Sequence, residues 1–267
     1  MTESRIPAAF ARARAEKRIA IVPFLTAGFP TLSESEEVFL ALVRGGADLI
    51  EIGVPFSDPL ADGATIQRSS EVAIANGVRL SDCIALVRSL REKHGVTIPL
   101  ILMGYYNPIL HYGLAEFGKD AAAAGVDGVI VPDLPTEESD ELLASCRANG
   151  LDLIFLLAPT STDQRIDDVA ARASGFVYCV SLTGVTGGRN ALPDLRPYLS
   201  RVRAKTDLPL AIGFGISTPD HIRQVSAVGD GAIVGSSMIN LIDQAPEGER
   251  AAAAERFIRG LAAAAKS

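Results

Sequence analysis

The chain has 267 residues, of which 48% are hydrophobic and 21% charged, a composition typical of a globular fold and too apolar for a disordered chain. Lys and Arg total 25 against 32 Asp and Glu, and the resulting net charge of −7 disfavours binding to nucleic acid or to anionic membranes. The sequence has no apolar run near the ~18 residues of a membrane span and no signal-peptide core at its start.

Cysteine usage argues against a disulfide framework or a zinc site. The three cysteines, Cys83, Cys146 and Cys179, are odd in number and far apart, and no CxxC or Cys/His ligand spacing occurs. A reducing compartment is the simplest setting for such a chain, so we expect a cytoplasmic protein.

Eight short apolar runs alternate with longer amphipathic segments along the chain. Continuous rather than alternating apolar runs are typical of parallel strands that are covered on both faces. We therefore predict eight strands, at Ile19–Phe24, Leu49–Gly53, Leu100–Met103, Gly128–Val131, Leu153–Leu157, Phe176–Val180, Leu210–Phe214 and Ala232–Gly235.

The segments between these runs contain helix signals. Thr31 and Glu34 form a capping box, Thr218 precedes a proline and an acidic residue, and Gly150 closes the helix before the fifth strand. The pattern also predicts helices beyond one per strand, namely one at Arg5–Lys17, two at Thr65–Asn76 and Leu80–His94, and a terminal one at Ala251–Ala265.

Eight strands alternating with helices over about 250 residues predict an α/β fold of the (β/α)8 TIM-barrel type. We expect a single domain over residues 1–267, with an additional N-terminal helix and an extra helix after strand 2. The alternative is a doubly wound open sheet, which favours a phosphate loop or dinucleotide fingerprint after its first strand. The turn at Thr26–Pro30 is neither of these.

The second predicted strand contains the first candidate catalytic residue. A barrel places its active site at the C-terminal ends of its strands, and Glu51 is the only ionisable residue in this strand. Between Ile50 and Ile52 its carboxyl group would lose hydration, which raises its pKa and allows it to donate a proton near neutral pH. The alternative is an outward-facing glutamate paired with an arginine.

The loop that follows, residues 54–63, contains two aspartates and two prolines. The prolines stiffen the loop and would hold Asp58 and Asp62 in position, although aspartate before proline or glycine is also ordinary turn chemistry. Asp62 is near enough to Glu51 in the chain for the loop to fold back over the barrel mouth. Two carboxylates in different environments can divide into acid and base.

Glycine-containing segments follow the last three strands, at Thr183–Gly188, Gly213–Ser217 and Gly235–Ser237. Loops at these barrel positions, with a short helix N-terminus, often bind phosphate, and glycine lets backbone N–H groups approach an anion closely. We predict a phosphate site here, with Gly235–Ser237 as the helix start, and the alternative is tight-turn glycine. The segment after the sixth strand is also long enough for a lid.

The positions of the lysines and histidines argue against two classes of aldolase mechanism. No lysine lies in a predicted strand, which argues against a Schiff-base aldolase. His94, His111 and His221 lack the spacing of paired ligands, which argues against a metal-dependent aldolase, so we expect metal-free acid–base chemistry. Residues at strand ends predict an apolar pocket, walled by Phe24, Leu102, Tyr105, Tyr178 and Phe214.

The segment Glu51–Gly63, EIGVPFSDPLADG, resembles the signature of the tryptophan synthase alpha subunit family. Other segments resemble the family in the same order over nearly the whole chain, at Pro23–Pro30, Tyr105–Pro108, Pro132–Pro135, Gly184–Gly187 and Gly213–Ile216. The resemblance implies a lyase of tryptophan biosynthesis that cleaves indole-3-glycerol phosphate to indole and glyceraldehyde 3-phosphate.

The resemblance also implies roles for individual residues. The family's catalytic pair corresponds to Glu51, expected to protonate indole C3, and Asp62, expected to accept a hydrogen bond from the indole N–H. Thr186 joins the predicted indole pocket. The family's phosphate contacts correspond to Gly187, Gly215, Gly235 and Ser236.

A beta subunit is the partner that the resemblance implies, in an α2β2 complex, with Asp58 and Pro59 near the contact. No cofactor is expected in this chain, and pyridoxal phosphate is expected only in the beta subunit, which receives indole through a tunnel. Two positions depart from the family: Ala64 stands where Pro is usual, and Ser181–Thr183 stands where many members have an Arg. Both departures bear on the loop and the lid rather than on the catalytic pair.

Two other interpretations stay open at the level of sequence. One is another phosphosugar barrel, such as a neighbouring indole-pathway isomerase or synthase, although the missing strand-end lysine argues against the synthase. The other is an inactive barrel that acts only as an allosteric partner of a beta subunit, against which the presence of both Glu51 and Asp62 argues.

Overall fold

Nine strands and twelve α-helices alternate in the computed structural model, which describes residues 4–181, 194–213 and 215–266. The strands are β1 (Ala20–Thr26), β2 (Ile50–Gly53), β3 (Leu100–Met103), β4 (Gly128–Ile130), β5 (Asp152–Ile154), β6 (Leu156–Leu157), β7 (Val177–Val180), β8 (Leu210–Gly213) and β9 (Gly231–Val234). The helices are α1 (Ile6–Ala15), α2 (Leu32–Gly45), α3 (Ala64–Ala75), α4 (Leu80–Glu92), α5 (Tyr106–Tyr112), α6 (Leu114–Ala124), α7 (Asp140–Asn149), α8 (Asp163–Arg172), α9 (Arg196–Arg203), α10 (Pro219–Ser226), α11 (Ser236–Gln244) and α12 (Arg250–Ala264).

The strands pair in parallel in the order β5-β4-β3-β2-β1-β9-β8-β7-β6. β5 pairs with β4 and β6 pairs with β7, and between them the Tyr178 N–H donates to the Phe155 carbonyl at 3.0 Å. β5 and β6 are therefore two pieces of one barrel strand, the one predicted as Leu153–Leu157. The sheet is a nearly closed barrel, which confirms the predicted (β/α)8 fold.

The additional helices predicted from the sequence are present. α1 precedes β1, and both α3 and α4 lie between β2 and β3. Two other helices begin or end at the predicted residues. At the start of α2 the Thr31 side chain accepts a hydrogen bond from the Glu34 N–H, and at the end of α7 Gly150 has a φ of 72°. Helix α5 is not among the elements predicted from the sequence, and Gly113, with a φ of 97°, separates it from α6. None of the helices in the described ranges has the length and apolar character needed to span a membrane.

Strand residues alternate between the barrel interior and the layer beneath the helices, because successive side chains of a strand point to opposite faces. Ile50 and Ile52 pack in the outer apolar layer, whereas Leu49 belongs to the inner one and Glu51 shares its face. The inner layer consists of Ala20, Val22, Leu49, Ile101, Ile130, Ile154, Phe176, Tyr178, Ala211 and Ile233, together with apolar residues of α1. Glu51 therefore projects into a packed apolar interior.

Helix α1 closes the N-terminal end of the barrel. Ile6 and Phe10 are buried in the inner layer, and the Phe10 ring lies 5.5 Å from the ring of Phe176. Arg5, which precedes the helix, pairs with the buried carboxylate of Asp127 at 2.9 Å. Because α1 fills this end, a substrate reaches the interior from the opposite end, where the strands end at their carboxyl termini.

Candidate active site

Glu51 lies in β2 and points into the barrel, with Phe24 of β1 and Ile101 of β3 opposite it in the strand register. Its side chain is fully buried, and neither carboxylate oxygen has a hydrogen-bond partner among the residues that the structure describes. Burial raises the pKa of Glu51 to about 8, because the ionised form would be desolvated. Glu51 is therefore a buried acid that is mostly protonated at neutral pH, and it is not the outward-facing glutamate of the alternative interpretation.

Asp62 lies near the end of the loop formed by residues 54–63, and backbone contacts hold this part of the loop. The Asp62 N–H donates to the Pro59 carbonyl at 3.0 Å, and the Gln67 side-chain amide donates to the Asp62 carbonyl at 2.9 Å. The carboxyl group is partly buried, which raises the pKa of Asp62 to about 6. A hydrogen bond from the Tyr105 hydroxyl, at 3.1 Å, opposes that rise.

A small cleft, partly open to solvent, lies at the carboxyl ends of β1, β2 and β3. Asp62 and Tyr105 line it from the loop and from the end of β3, and Phe24 lines it from β1. The Phe24 ring lies directly over Gly53, where a Cβ atom would come within 2.5 Å of the ring. Glycine at position 53 is thus what lets the aromatic wall approach the strand that contains Glu51.

Tyr178 reaches the same region from β7. Its side chain is buried and lies over Gly213, where a Cβ atom would come within 2.3 Å of the tyrosine hydroxyl. Burial raises the pKa of Tyr178 well above its usual range, and the negative charges of Glu51 and Asp62 contribute to the rise. Tyr178 belongs to the inner layer of the barrel and interacts electrostatically with both carboxyl groups.

The structure corrects the prediction that Leu102 lines the pocket. Leu102 lies on the outer face of β3, buried in the layer beneath the helices, because it alternates with the inward residues Ile101 and Met103. Met103 lines the cleft in its place, and Ile66 of α3 joins it. Every second residue of β3 points into the barrel, and this alternation identifies Met103 as a residue of the cleft. Being near the end of a strand does not show which face a residue is on.

Of the predicted phosphate residues, Gly235 and Ser236 lie at the start of α11 near Phe24, and Gly215 precedes the residue that Ser237 contacts. Gly215 has a φ of 82°, and Gly235 is the residue before α11, whose first turn has backbone N–H groups directed outward. The pairing of β1 with β9 brings Gly235 beside Phe24. A Cβ atom built on Gly235 would lie 3.8 Å from the Phe24 ring. The Ser237 hydroxyl donates to the Ile216 carbonyl at 3.0 Å and joins the two turns.

Other predicted residues lie apart from the cleft or outside the described residues. Asp58 is exposed and Pro59 partly exposed at the tip of the loop, where they face solvent rather than the barrel interior. Thr186, Gly187, Phe214 and the predicted lid lie outside the described residues. Within the ranges that the structure describes, no group of three His, Cys, Asp or Glu side chains is arranged to hold a metal ion.

Comparison with known protein sequences shows which proteins this chain is similar to. The family model described as "Tryptophan synthase alpha chain" matches residues 10–266. The tryptophan synthase alpha chain of Roseiflexus sp. (strain RS-1) is 56% identical over 259 residues, which are 97% of this chain and 99% of the relative. A Saccharomyces cerevisiae protein named tryptophan synthase is 47% identical over 96% of this chain, and the match covers 36% of the yeast protein.

Structural comparison gives the same result. A structure of Mycobacterium tuberculosis tryptophan synthase matches with a TM-score of 0.91 and 36% identity, covering 100% of both chains. The tryptophan synthase alpha subunit of Legionella pneumophila matches with a TM-score of 0.90 and 37% identity, covering 98% of each chain. The similarity therefore extends over the whole barrel.

Replacing the buried carboxyl group is expected to change how stability depends on pH. Glu51 ionises near its ordinary pKa of 4.5 in the unfolded chain but near 8 in the folded one, so the protein loses stability as the pH rises between these values. Glu51→Gln removes this loss. Its free energy of unfolding relative to wild type should rise by on the order of 1 kcal/mol per pH unit from pH 5 to pH 8, measured by urea unfolding.

The matched control is Glu37→Gln, at an exposed position of α2, for which we expect a difference from wild type that does not vary with pH. A difference for Glu51→Gln that is equally independent of pH would contradict the raised pKa of Glu51.

Proposed function

This chain belongs to the tryptophan synthase alpha chain family, and we propose that Glu51 is the acid of its reaction and that ionised Asp62 stabilises the positive charge on the indole ring. The chain is a carbon–carbon lyase of tryptophan biosynthesis that cleaves indole-3-glycerol phosphate to indole and glyceraldehyde 3-phosphate. The main support for the two roles is the difference in pKa, about 8 for Glu51 and about 6 for Asp62. Near neutral pH Glu51 is protonated and can donate a proton, whereas Asp62 is ionised and can stabilise a positive charge.

Glu51 solves the problem of the leaving group in this retro-aldol cleavage. The bond between indole C3 and the glycerol carbon breaks once C3 has accepted the proton of neutral Glu51. The electron pair of that bond then restores the aromatic indole ring, and the glycerol 3′-hydroxyl becomes the aldehyde of glyceraldehyde 3-phosphate. The proton released by the hydroxyl group returns to the Glu51 carboxylate, so the residue ends each cycle neutral.

Asp62 acts on the other side of the indole ring. Protonation at C3 spreads positive charge onto the indole nitrogen, and an ionised Asp62 accepts a hydrogen bond from that N–H. The interaction strengthens as the charge develops, so it stabilises the transition state more than the bound substrate. The support for this role is the position of the Asp62 carboxyl group in the cleft and its pKa of about 6.

The two ends of the substrate occupy two adjoining parts of the site in this proposal. Apolar and aromatic side chains hold the indole ring, namely Phe24, Met103, Tyr105 and Tyr178, with Thr186 and Phe214 added from the sequence prediction. Backbone N–H groups bind the phosphate, at Gly187, Gly215, Gly235 and Ser236. The proximity of Phe24 to Gly235 supports this order, since a Cβ atom at position 235 would lie 3.8 Å from the Phe24 ring.

The tip of the loop is proposed to bind a beta subunit. Next to Asp58 and Pro59, Leu60 is 94% exposed, and Leu110 on α5 is 50% exposed. In the proposal, a beta subunit covers these two leucines and removes their apolar surface from water. The yeast tryptophan synthase, of which this chain matches only 36%, supports a second component in the enzyme.

Several finer features complete the proposal. We expect an α2β2 complex in the cytoplasm, with pyridoxal phosphate held by the beta subunit and with indole passing to it through a tunnel. No cofactor is proposed for this chain itself. The match of the family model to residues 10–266 supports a single barrel domain over residues 1–267.

Removal of either proposed catalytic group should abolish most of the activity. Glu51→Gln and Asp62→Asn are each expected to lower kcat by roughly 10²–10⁴, the usual range for a positioned acid or base. The measurement is indole release from indole-3-glycerol phosphate, with and without a purified beta subunit. Asp167→Asn, at an exposed ion pair with Lys205 on the surface, is the control and should retain wild-type kcat. Near-normal kcat in a folded Glu51→Gln or Asp62→Asn protein would remove that residue from the mechanism.

A negative charge at the start of α11 should weaken binding of the phosphate. Gly235→Asp is expected to raise KM by about tenfold relative to Gly235→Asn, which has the same shape and the same backbone cost without the charge. A Cβ atom at this position meets its neighbours at ordinary contact distance, so both variants should fold. Equal KM values for the two variants would contradict the phosphate assignment.

A charge on the exposed leucine of the loop should weaken binding of the beta subunit. Leu60→Asp is expected to raise the Kd for a purified beta subunit by tenfold or more, because about 1.4 kcal/mol of apolar contact would be lost. Isothermal titration calorimetry measures the affinity. Leu32→Asp, at an exposed leucine of α2, is the control and should bind as wild type. An unchanged Kd for Leu60→Asp would place the beta contact elsewhere.

A further inference from the structure

The Tyr105 hydroxyl makes two hydrogen bonds to the loop that contains Asp62. It accepts the Ala61 N–H at 3.0 Å and donates to Asp62 Oδ2 at 3.1 Å. The direction of both bonds is fixed, since a backbone N–H can only donate and a hydroxyl group has a single proton. That proton is therefore directed at Asp62, which favours an ionised oxygen as its acceptor.

Tyr105 is itself held firmly. It is 5% exposed, and its ring stacks on the ring of Phe56, with centroids 5.0 Å apart and an interplanar angle of 27°. The next residue, Tyr106, donates its N–H to Asp133 at 3.0 Å, which fixes the backbone where β3 passes into α5. Tyr105 thus contacts the loop near its beginning, through Phe56, and near its end, through Ala61 and Asp62.

We propose that Tyr105 is a positioning residue for the cleavage reaction, whose hydroxyl group holds Asp62 ionised and directed toward the indole N–H. This inference rests on the proposed role of Asp62 and deepens it. It assigns Tyr105 a function beyond the apolar wall that its ring provides, and it makes the phenolic proton, rather than the ring, the feature that the reaction depends on.

The charges around Asp62 make this donor important. Tyr178 of β7 interacts electrostatically with both Glu51 and Asp62, and Asp133, which follows β4, acts on Tyr105. Within the loop, Asp58 accepts the Ser57 hydroxyl at the surface. These groups are acids or phenols, so none of them stabilises a carboxylate by opposite charge. Burial accordingly raises the pKa of Asp62, and the hydrogen bond from Tyr105 limits the rise to about 6.

Tyr105→Phe tests the proposal, because it keeps the ring and its stacking on Phe56 while removing the hydroxyl group. The readout is kcat/KM for indole release by the full chain, from pH 5 to pH 8.5, which reports the ionisation of the free enzyme. Wild type should lose activity below pH 6 as Asp62 is protonated. In the variant this acid limb should move up by about one pH unit, with kcat reduced more than KM is raised.

The ratio of kcat/KM in wild type to kcat/KM in Tyr105→Phe, followed against pH, distinguishes a positioning role of Tyr105 from a general structural defect. If Tyr105 keeps Asp62 ionised, Tyr105→Phe should lose about fivefold more activity at pH 6 than at pH 8, because the higher pH restores the Asp62 carboxylate in the variant. A merely structural role predicts a ratio that is independent of pH. Tyr106→Phe, which removes a neighbouring phenol directed away from the site toward Glu138 and Glu141, is the control and should match wild type at every pH.

A double variant distinguishes failure of this inference from failure of the proposed function. If Tyr105 acts through Asp62, adding Tyr105→Phe to Asp62→Asn should cost less than twofold in kcat. Normal activity of Asp62→Asn would overturn the proposed role of Asp62, on which this inference rests. An inactive Asp62→Asn together with an unmoved acid limb in Tyr105→Phe, or with a full additional loss in the double variant, would overturn only the role of Tyr105.

Discussion

Desolvation of the Glu51 carboxyl group is the interaction on which the rest of the site depends. A buried carboxyl group without a hydrogen-bond partner among the described residues is more stable neutral than ionised. The alternation of β2 turns the group inward, and α1 fills the end of the barrel through which water would otherwise reach it. The same burial lowers the stability of the fold above the unfolded-state pKa of the group, so the reaction and the fold make opposite demands on this position.

The two proposed catalytic groups differ because different kinds of structure hold them. Glu51 is part of a strand in an apolar interior, where little can solvate a charge. Asp62 belongs to a loop at the barrel mouth, partly exposed and next to a hydroxyl donor. One fold therefore gives two carboxyl groups pKa values on either side of neutrality. In the proposed function, phosphate bound near Gly235, beside Phe24, would hold the substrate against both groups.

The elements of the fold could be predicted from sequence because their signals are local. Apolar runs, the cap at Thr31 and the glycine after α7 each depend on a few neighbouring residues. Leu102 was misplaced because adjacent apolar residues of a fully buried strand look alike, although only one face reaches the cleft. No local sequence pattern predicts the hydrogen bond between Tyr105 and Asp62, since it joins a residue at a strand end to a loop residue 43 positions away.

Infrared spectroscopy of the full chain tests the central claim most directly, because a protonated carboxyl group has a carbonyl stretch that an ionised one lacks. The difference between wild type and Glu51→Gln isolates the signal of Glu51 from those of Asp62 and the other acids. We predict a band at pH 7 that is present in wild type, absent in Glu51→Gln and lost with a midpoint near pH 8. A band that disappears near pH 4.5 would show an ordinary ionised glutamate and would contradict the account.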